Sequence, residues 1–150
     1  MLSPSNLAAE IRGCHTTKQN IVDVINSAEH NLTIVGYMVS SSEIVDLIKR
    51  RASEIEVYLH IDKLQANSYP EAAESARDIE NAGAFVKFHD DTISGSLHAK
   101  VIISDDKEAI IGSANFTHSG TDRNFEMGVR LKGPSVKIMK NAVLRALGGF

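Results

Sequence analysis

The sequence predicts an α/β fold: one mixed β-sheet with helices on both faces. Three observations predict it. Apolar, strand-like runs alternate with amphipathic helical stretches from about residue 17 to residue 88. A strand–turn–strand unit follows, with the polar turn Asp105-Asp106-Lys107-Glu108 at its centre. No linker or internal repeat interrupts the 150 residues, so residues 1–150 read as one domain, long enough to bury an ordinary core.

Taken in order, residues 5–14 read as a short helix with Leu7 and Ile11 on one side. Thr16 or Thr17 caps the next helix, roughly 17–30, whose stripe is Ile21, Val24, Ile25 and Ala28. Residues 32–37 form a buried strand. Ser41 or Ser42 caps a helix to about Ala52, with Ile44, Val45, Leu47 and Ile48 inward. Residues 54–62 alternate Ile55, Val57, Leu59 and Ile61 with polar residues, the signature of a strand. Residues 65–69 read as a loop. Pro70 opens a helix over 70–82, which Gly83 ends.

A third strand covers 84–88, and residues 89–96, with Ser94-Gly95-Ser96, make a flexible approach to the hairpin. Beyond the hairpin, 116–123 is a polar loop and 124–132 a last strand. Gly133-Pro134-Ser135 starts a final helix to about Leu147, striped by Val136, Met139, Val143 and Ala146.

Composition narrows the function classes. Apolar residues make up 43% and no run reaches membrane-spanning length, which implies a soluble, non-membrane protein. The N-terminus has no basic segment followed by an apolar one, so it does not read as a secretory signal. Cys14 is the single cysteine, which excludes an internal disulfide and a cysteine-based zinc site and suits the cytoplasm. Net charge is −3, which does not advertise nucleic-acid binding. The charge is uneven, however. Residues 1–83 hold 7 Lys/Arg and 12 Asp/Glu, and residues 84–150 hold 9 and 7. The second half is either a mildly anion-attracting face or an ordinary mixed surface.

The chemistry-bearing residues lie between Leu97 and Glu126. His98 and Lys100 are two apart, so on a strand they share a face, and so do Ser113 and Asn115. A two-residue loop at Asp106-Lys107 would set His98 opposite Asn115 and Lys100 opposite Ser113. An imidazole, an ammonium, a hydroxyl and an amide would then form one patch that offers a nucleophile and donors to an anion.

His98-x-Lys100-x4-Asp105, followed by Gly112-Ser113-x-Asn115, resembles the HKD motif of the phospholipase D superfamily. Asn115-Phe116-Thr117 and Asn124-x-Glu126 are similar to stretches that recur there. The compound pattern is specific where a lone His-x-Lys is not. The resemblance implies a single phospholipase D-like domain with one motif at 98–115. It implies no cofactor and no metal. Members with two motifs pair them across a pseudo-twofold axis; those with one motif, which this chain resembles in length, dimerise. Among members of this size the resemblance points to metal-independent nucleases.

Phosphodiester cleavage needs a nucleophile, charge stabilisation on the phosphoryl oxygens and a proton for the leaving oxygen. His98 supplies the nucleophile and forms a covalent phosphohistidine. Lys100, Asn115 and Ser113 neutralise the phosphate. Glu126 accepts a hydrogen bond from the other imidazole nitrogen. Asp105 lies at the turn, off this face, and takes a structural role. One histidine does not serve easily as nucleophile and leaving-group acid together, so a homodimer sharing one site is expected.

DNA or RNA is the expected substrate. The alternatives are a lipid phosphodiester, or a role as nuclease or binding subunit of a larger nucleic-acid-processing or defence complex. Other candidates read more plainly. His60-x-Asp62 is a surface strand edge rather than a metal pair. His118 is a solvated loop residue. His15, His30 and His89 show no partner pattern. Lys49-Arg50-Arg51 suits a helix C-terminus. Arg123 contacts either nucleic acid or a carboxylate of a partner.

Overall fold

The structure, a computed structural model, describes residues 2–3, 16–90 and 95–149. The expected helix over 5–14, together with Cys14 and His15, lies outside the described residues, as do residues 91–94 of the approach. Among the described residues, seven strands form one sheet: β1 (Leu2–Ser3), β2 (Asn31–Gly36), β3 (Glu56–Asp62), β4 (Phe85–His89), β5 (Val101–Ser104), β6 (Glu108–Gly112) and β7 (Gly128–Lys132). Their order is β1-β7-β6-β5-β2-β3-β4. The β2–β3 and β3–β4 pairs are parallel and the rest antiparallel, so the sheet is mixed. Five α-helices among the described residues accompany it: α1 (Thr17–Ser27), α2 (Ser42–Ala52), α3 (Lys63–Ser68), α4 (Pro70–Asn81) and α5 (Ser135–Ala146).

Strand alternation sorts the apolar residues into two layers. Leu32, Ile34, Leu59 and Ile102 pack with Ile21, Ile25, Ile48 and Ile79 of α1, α2 and α4. Val35, Ile103 and Ala109 pack on the opposite face with Val136, Met139 and Val143 of α5 and with Leu147 just beyond it. The stripe of α5 thus runs on to Leu147, and Ala146 is exposed. Helices cover both faces, as the alternation predicts.

Most boundaries fall within two residues of expectation, and the exceptions have local causes. Helix α1 is capped by Thr16, whose hydroxyl accepts from Gln19 N at 3.1 Å, and it ends at Ser27, before an extended Ala28. Ser41 occupies the cap position of α2, but its side chain makes no capping bond. The expected loop over 65–69 is largely α3, because Asp62 accepts from Gln65 N at 2.9 Å and starts a helix there. Gly83, at φ 110°, ends the chain's turn out of α4.

The hairpin register is one residue away from expectation. Asp105 takes φ 52°, and the turn consumes Asp105, Asp106 and Lys107. Ser104 therefore pairs with Glu108, and Val101 with Ile111. The chain projects Gly112, not Ser113, opposite Lys100, and Gly112 N donates to Lys100 O at 3.2 Å.

Residues 116–123 are not an open loop. Ser119–Arg123 form a π-helical turn closed by Asn124 N donating to Ser119 O at 2.8 Å. The last strand begins at Gly128, not at residue 124, so Asn124–Met127 are irregular.

Candidate active site

The site lies at one end of the sheet. Val35 pairs with Val101 and Gly112 with Gly128. The C-terminal ends of β2 and β6 and the N-terminal ends of β5 and β7 therefore meet. His98 and Lys100 lie just before β5, Ser113 and Asn115 just after β6, and Glu126 just before β7.

His98 is exposed, whereas Lys100 is 6% exposed. The Lys100 ammonium donates to His98 O at 2.7 Å and lies 2.9 Å from His98 Nδ1 and 3.3 Å from Nε2. Near-equal distances to both nitrogens place the ammonium against the ring rather than at one lone pair. Burial pushes the Lys100 ammonium down from the ordinary lysine range, and the Glu126 carboxylate opposes that. Tyr37, one residue beyond β2, is a site residue that sequence reasoning missed. Its ring lies 4.6 Å from the His98 ring and 5.1 Å from Lys100 Nζ.

A second cluster lies across the gap between β6 and β7. Ser113 N donates to Met127 O at 3.0 Å, and Met127 N donates to Ser113 Oγ at 3.2 Å. The Ser113 hydroxyl then donates to Glu126 Oε2, while Asn124 Nδ2 donates to Glu126 Oε1 at 3.3 Å. Glu126 is thus held by Ser113 and Asn124, in place of the expected bond to His98. The shifted register explains why Ser113 does not face Lys100: it turns to β7 instead.

Asn115 is partly buried, and its Oδ1 is buried without a hydrogen-bond partner among the described residues. Its position is set on both sides. Phe116, 2% exposed, is tied to the segment after β2 by Phe116 N donating to Met38 O at 3.1 Å and by Ser40 N donating to Phe116 O at 2.9 Å. Gly120 lets the π-helical turn close on Asn115; a Cβ there would come within 2.2 Å of Asn115 O.

Asp105 is 5% exposed and accepts from the backbone N–H groups of Glu29, His30 and Asn31 at 3.0, 2.9 and 2.9 Å. It ties the hairpin turn to the entry of β2, away from the end that carries His98 and Lys100. The reading of His60-x-Asp62 as a surface edge is corrected. Both side chains are 0% exposed: β3 is flanked by β2 and β4, and His89 and the Ser96-Leu97 segment bond to these side chains. His60 Nδ1 lies 2.8 Å from His89 Nε2, which gives His89 a partner as well. Asp62 Oδ2 accepts from Leu97 N and from Ser96 Oγ, both at 3.0 Å, directly before His98.

His118 is exposed and 3.4 Å from Asp122. Among the described residues, no group of three His, Cys, Asp or Glu side chains is arranged to hold a metal ion, and no helix is long and apolar enough to cross a membrane.

An α/β sheet presenting a histidine, a buried lysine and an asparagine at one end defines a phospholipase D-like domain. The chain belongs to the phospholipase D superfamily: the family model described as "Cardiolipin synthase, PLD-like domain" matches residues 21–143. It is 32% identical over 130 residues to the DISARM protein DrmC of Bacillus paralicheniformis, covering 83% of this chain and 53% of that protein. It is 33% identical over 107 residues to a protein of Rickettsia prowazekii named phospholipase D, covering 71% of this chain and 50% of that one. The chain thus spans about half the length of these curated relatives. Its fold is similar to the crystal structure of Nuc from Salmonella typhimurium, a phospholipase D family member. That match has a TM-score of 0.79 at 19% identity and covers 97% of this chain and 91% of that one.

Proposed function

We propose that the chain is a metal-independent phosphodiesterase, a nuclease acting on DNA or RNA in the cytoplasm, and that two copies complete one site. The observation that carries this reading is the Lys100 ammonium. It is buried, lies 2.9 Å from the exposed His98 imidazole and, among the described residues, has no carboxylate within ion-pair distance. A buried cation that no acid neutralises, held beside a nucleophile, suits an incoming anion. Asn115 lies just after β6 at the same end of the sheet, and its side-chain amide N–H groups are the donors it offers to phosphoryl oxygens.

The chemistry runs in two displacements. A His98 nitrogen lone pair forms a bond to phosphorus while the bond to the leaving oxygen breaks. That oxygen takes a proton from the protonated His98 of a second copy. Water then gives a proton to this second imidazole and attacks phosphorus, and the P–N bond breaks with its electron pair returning to the first His98. Lys100 and Asn115 hold the non-bridging oxygens throughout. Ser113 and Glu126 act as a unit: Ser113 fixes the Glu126 carboxylate, whose charge favours the protonated form of Lys100. Nothing in the sequence of steps requires a metal ion or a cofactor.

A specific finding favours a second reading: the Rickettsia relative is named phospholipase D, which points to a lipid phosphodiester. The DrmC relative, named as a DISARM protein, supports a place in a defence system with a protein partner. One experiment separates these readings. Labelled single- and double-stranded DNA and RNA, and phosphatidylcholine vesicles, are incubated with the chain in EDTA. Cleavage of nucleic acid that vanishes in His98→Ala is the expected result. Head-group release without nucleic-acid cleavage selects the lipid reading, and strict dependence on added metal overturns the mechanism. Light scattering of the active sample should give the mass of a dimer.

A further inference from the structure

We propose that Tyr37 is a positioning residue of the site: the face of its ring holds the Lys100 ammonium charged and braces the His98 imidazole toward the substrate. The proposal rests on the phosphodiesterase reading for its catalytic meaning and on geometry for its substance. The Tyr37 and His98 rings have centroids 4.6 Å apart and are tilted by 54°. Lys100 Nζ lies 5.1 Å from the Tyr37 centroid and 2.9 Å from His98 Nδ1, so the ammonium contacts both rings. An ammonium within about 6 Å of an aromatic centroid is attracted by the ring quadrupole, and the attraction grows when water is excluded.

Local structure fixes the ring in place. Tyr37 follows Gly36, where a Cβ would lie 3.1 Å from both the Phe116 ring and Val39 Cγ2. This close approach ties the end of β2 to the Asn115-Phe116 segment. The backbone beside Tyr37 is thus tied to the Asn115-Phe116 segment, while its ring lies against His98 and Lys100.

The surroundings of Lys100 leave few other sources of stabilisation. Among the described residues, the titratable groups that face it are His98, Tyr37 and, at longer range, Glu126. Helix α1 contributes Thr17 and Ile21, β6 contributes Ile110 and Gly112, and β7 contributes Gly128 to the same small cavity; none of these is charged. Burial alone drives this ammonium toward the neutral amine. A neutral amine neither attracts a phosphate nor offsets the charge that develops on it. The ring face keeps the amine protonated without pairing it with an anion, which a carboxylate in the same place could not do.

The test changes the electrostatics of the ring while keeping its shape. Tyr37→Phe retains the ring; replacement of Tyr37 by a trifluorinated phenylalanine retains the shape and removes most of the quadrupole; Tyr37→Leu removes the ring. Turnover of bis(p-nitrophenyl) phosphate is followed against pH, and Lys100 is titrated by NMR in protein carrying 13C-labelled lysine. Tyr37→Phe should leave both curves in place. The fluorinated and leucine variants should move the Lys100 titration down by about half to one pH unit and lower turnover most at the alkaline end of the profile.

Lower turnover with neither curve moved would show a role in packing alone and would overturn the proposal. An unmoved Lys100 titration in the fluorinated variant overturns it even if the leucine variant does not fold. Absence of phosphodiester turnover in the wild type would instead overturn the functional reading, while the Lys100 titration still decides the role of Tyr37.

Discussion

Asp105 Oδ1 lies 2.9 Å from the backbone nitrogen of Asn31, and this contact joins the turn of the motif hairpin to the first residue of β2. The same carboxylate accepts from Glu29 N and His30 N, so three backbone donors converge on one side chain that is almost fully buried. Asp105 also carries the one positive φ among the described non-glycine residues. The aspartate of the motif thus sets both the shape of the turn and the pairing of β5 with β2, and with them the position of the strand that begins just after Lys100.

Loss of this carboxylate should destabilise the fold without touching the reacting atoms. Asp105→Ala leaves three N–H groups without their acceptor and should cost about 2–4 kcal/mol in urea denaturation. Burial alone would raise the Asp105 carboxyl, but the N–H groups of Asn31, Glu29 and His30 outweigh it and hold it below the usual aspartate range. A carboxyl lowered by folding stabilises the native state above its unfolded pKa, about 3.9, and loses that contribution as pH falls through its folded value. The stability difference between wild type and Asp105→Ala should therefore shrink below about pH 4. A constant difference from pH 7 to pH 2.5 would contradict the assignment.

Asp62 performs the matching task at the other end of the motif. Its Oδ2 holds Leu97 N and Ser96 Oγ, and its Oδ1 caps α3 through Gln65 N. Residues 95–100 belong to no helix or strand, so this carboxylate fixes the backbone immediately before His98. Asp62→Ala should lower kcat about 10- to 100-fold by misplacing the imidazole. It should also speed hydrogen exchange at the Leu97 amide. Normal exchange at Leu97 in the variant would show that the clamp is not needed.

The residues that sequence reasoning found and those it missed differ in one physical respect. Period-2 and period-3.6 patterns are local, so Ile44, Val45 and Ile48 locate α2, and Val57, Leu59 and Ile61 locate β3. The motif spacing singled out His98, Lys100, Ser113, Asn115 and Glu126 as candidates, again from a local pattern. Contacts between segments distant in the chain left no such trace. Tyr37 lies 61 positions before His98 in the sequence, and Asp62 lies 35 before Leu97. The burial of His60 depends on β2 and β4 flanking β3 and on His89, 29 positions later, lying against it. The register error had a local cause that was hard to read: a left-handed aspartate lengthened the turn by one residue.

Ser113 and Glu126 should lose function together. Ser113 donates to Glu126 and accepts from Met127 N, so its removal releases the carboxylate and opens the join between β6 and β7. Ser113→Ala and Glu126→Gln should each lower kcat about tenfold or more. The double variant should be little worse than either single one, because residues acting as a unit are not additive. Multiplicative losses would show that the two groups act on the substrate independently.

The His60–His89 pair should make stability depend on pH in a window separate from that of Asp105. Burial, followed by the charges of His89 and Lys87, pushes His60 down to about 4 from 6.5. His89 is lowered too, first by burial and then by Lys87, with Asp62 opposing. A histidine lowered by folding binds protons more readily when unfolded. Its stabilising contribution is therefore full above about pH 6.5 and declines as pH falls toward the folded value near 4. The loss from His60 should be roughly 2–3 kcal/mol between these limits. Urea denaturation midpoints at half-unit steps from pH 7.5 to 4.5 measure it. His60→Gln, which keeps a polar group near His89 but does not titrate, should flatten most of the slope, leaving the part that His89 contributes. An unchanged slope in this variant would place the acid sensitivity elsewhere in the protein.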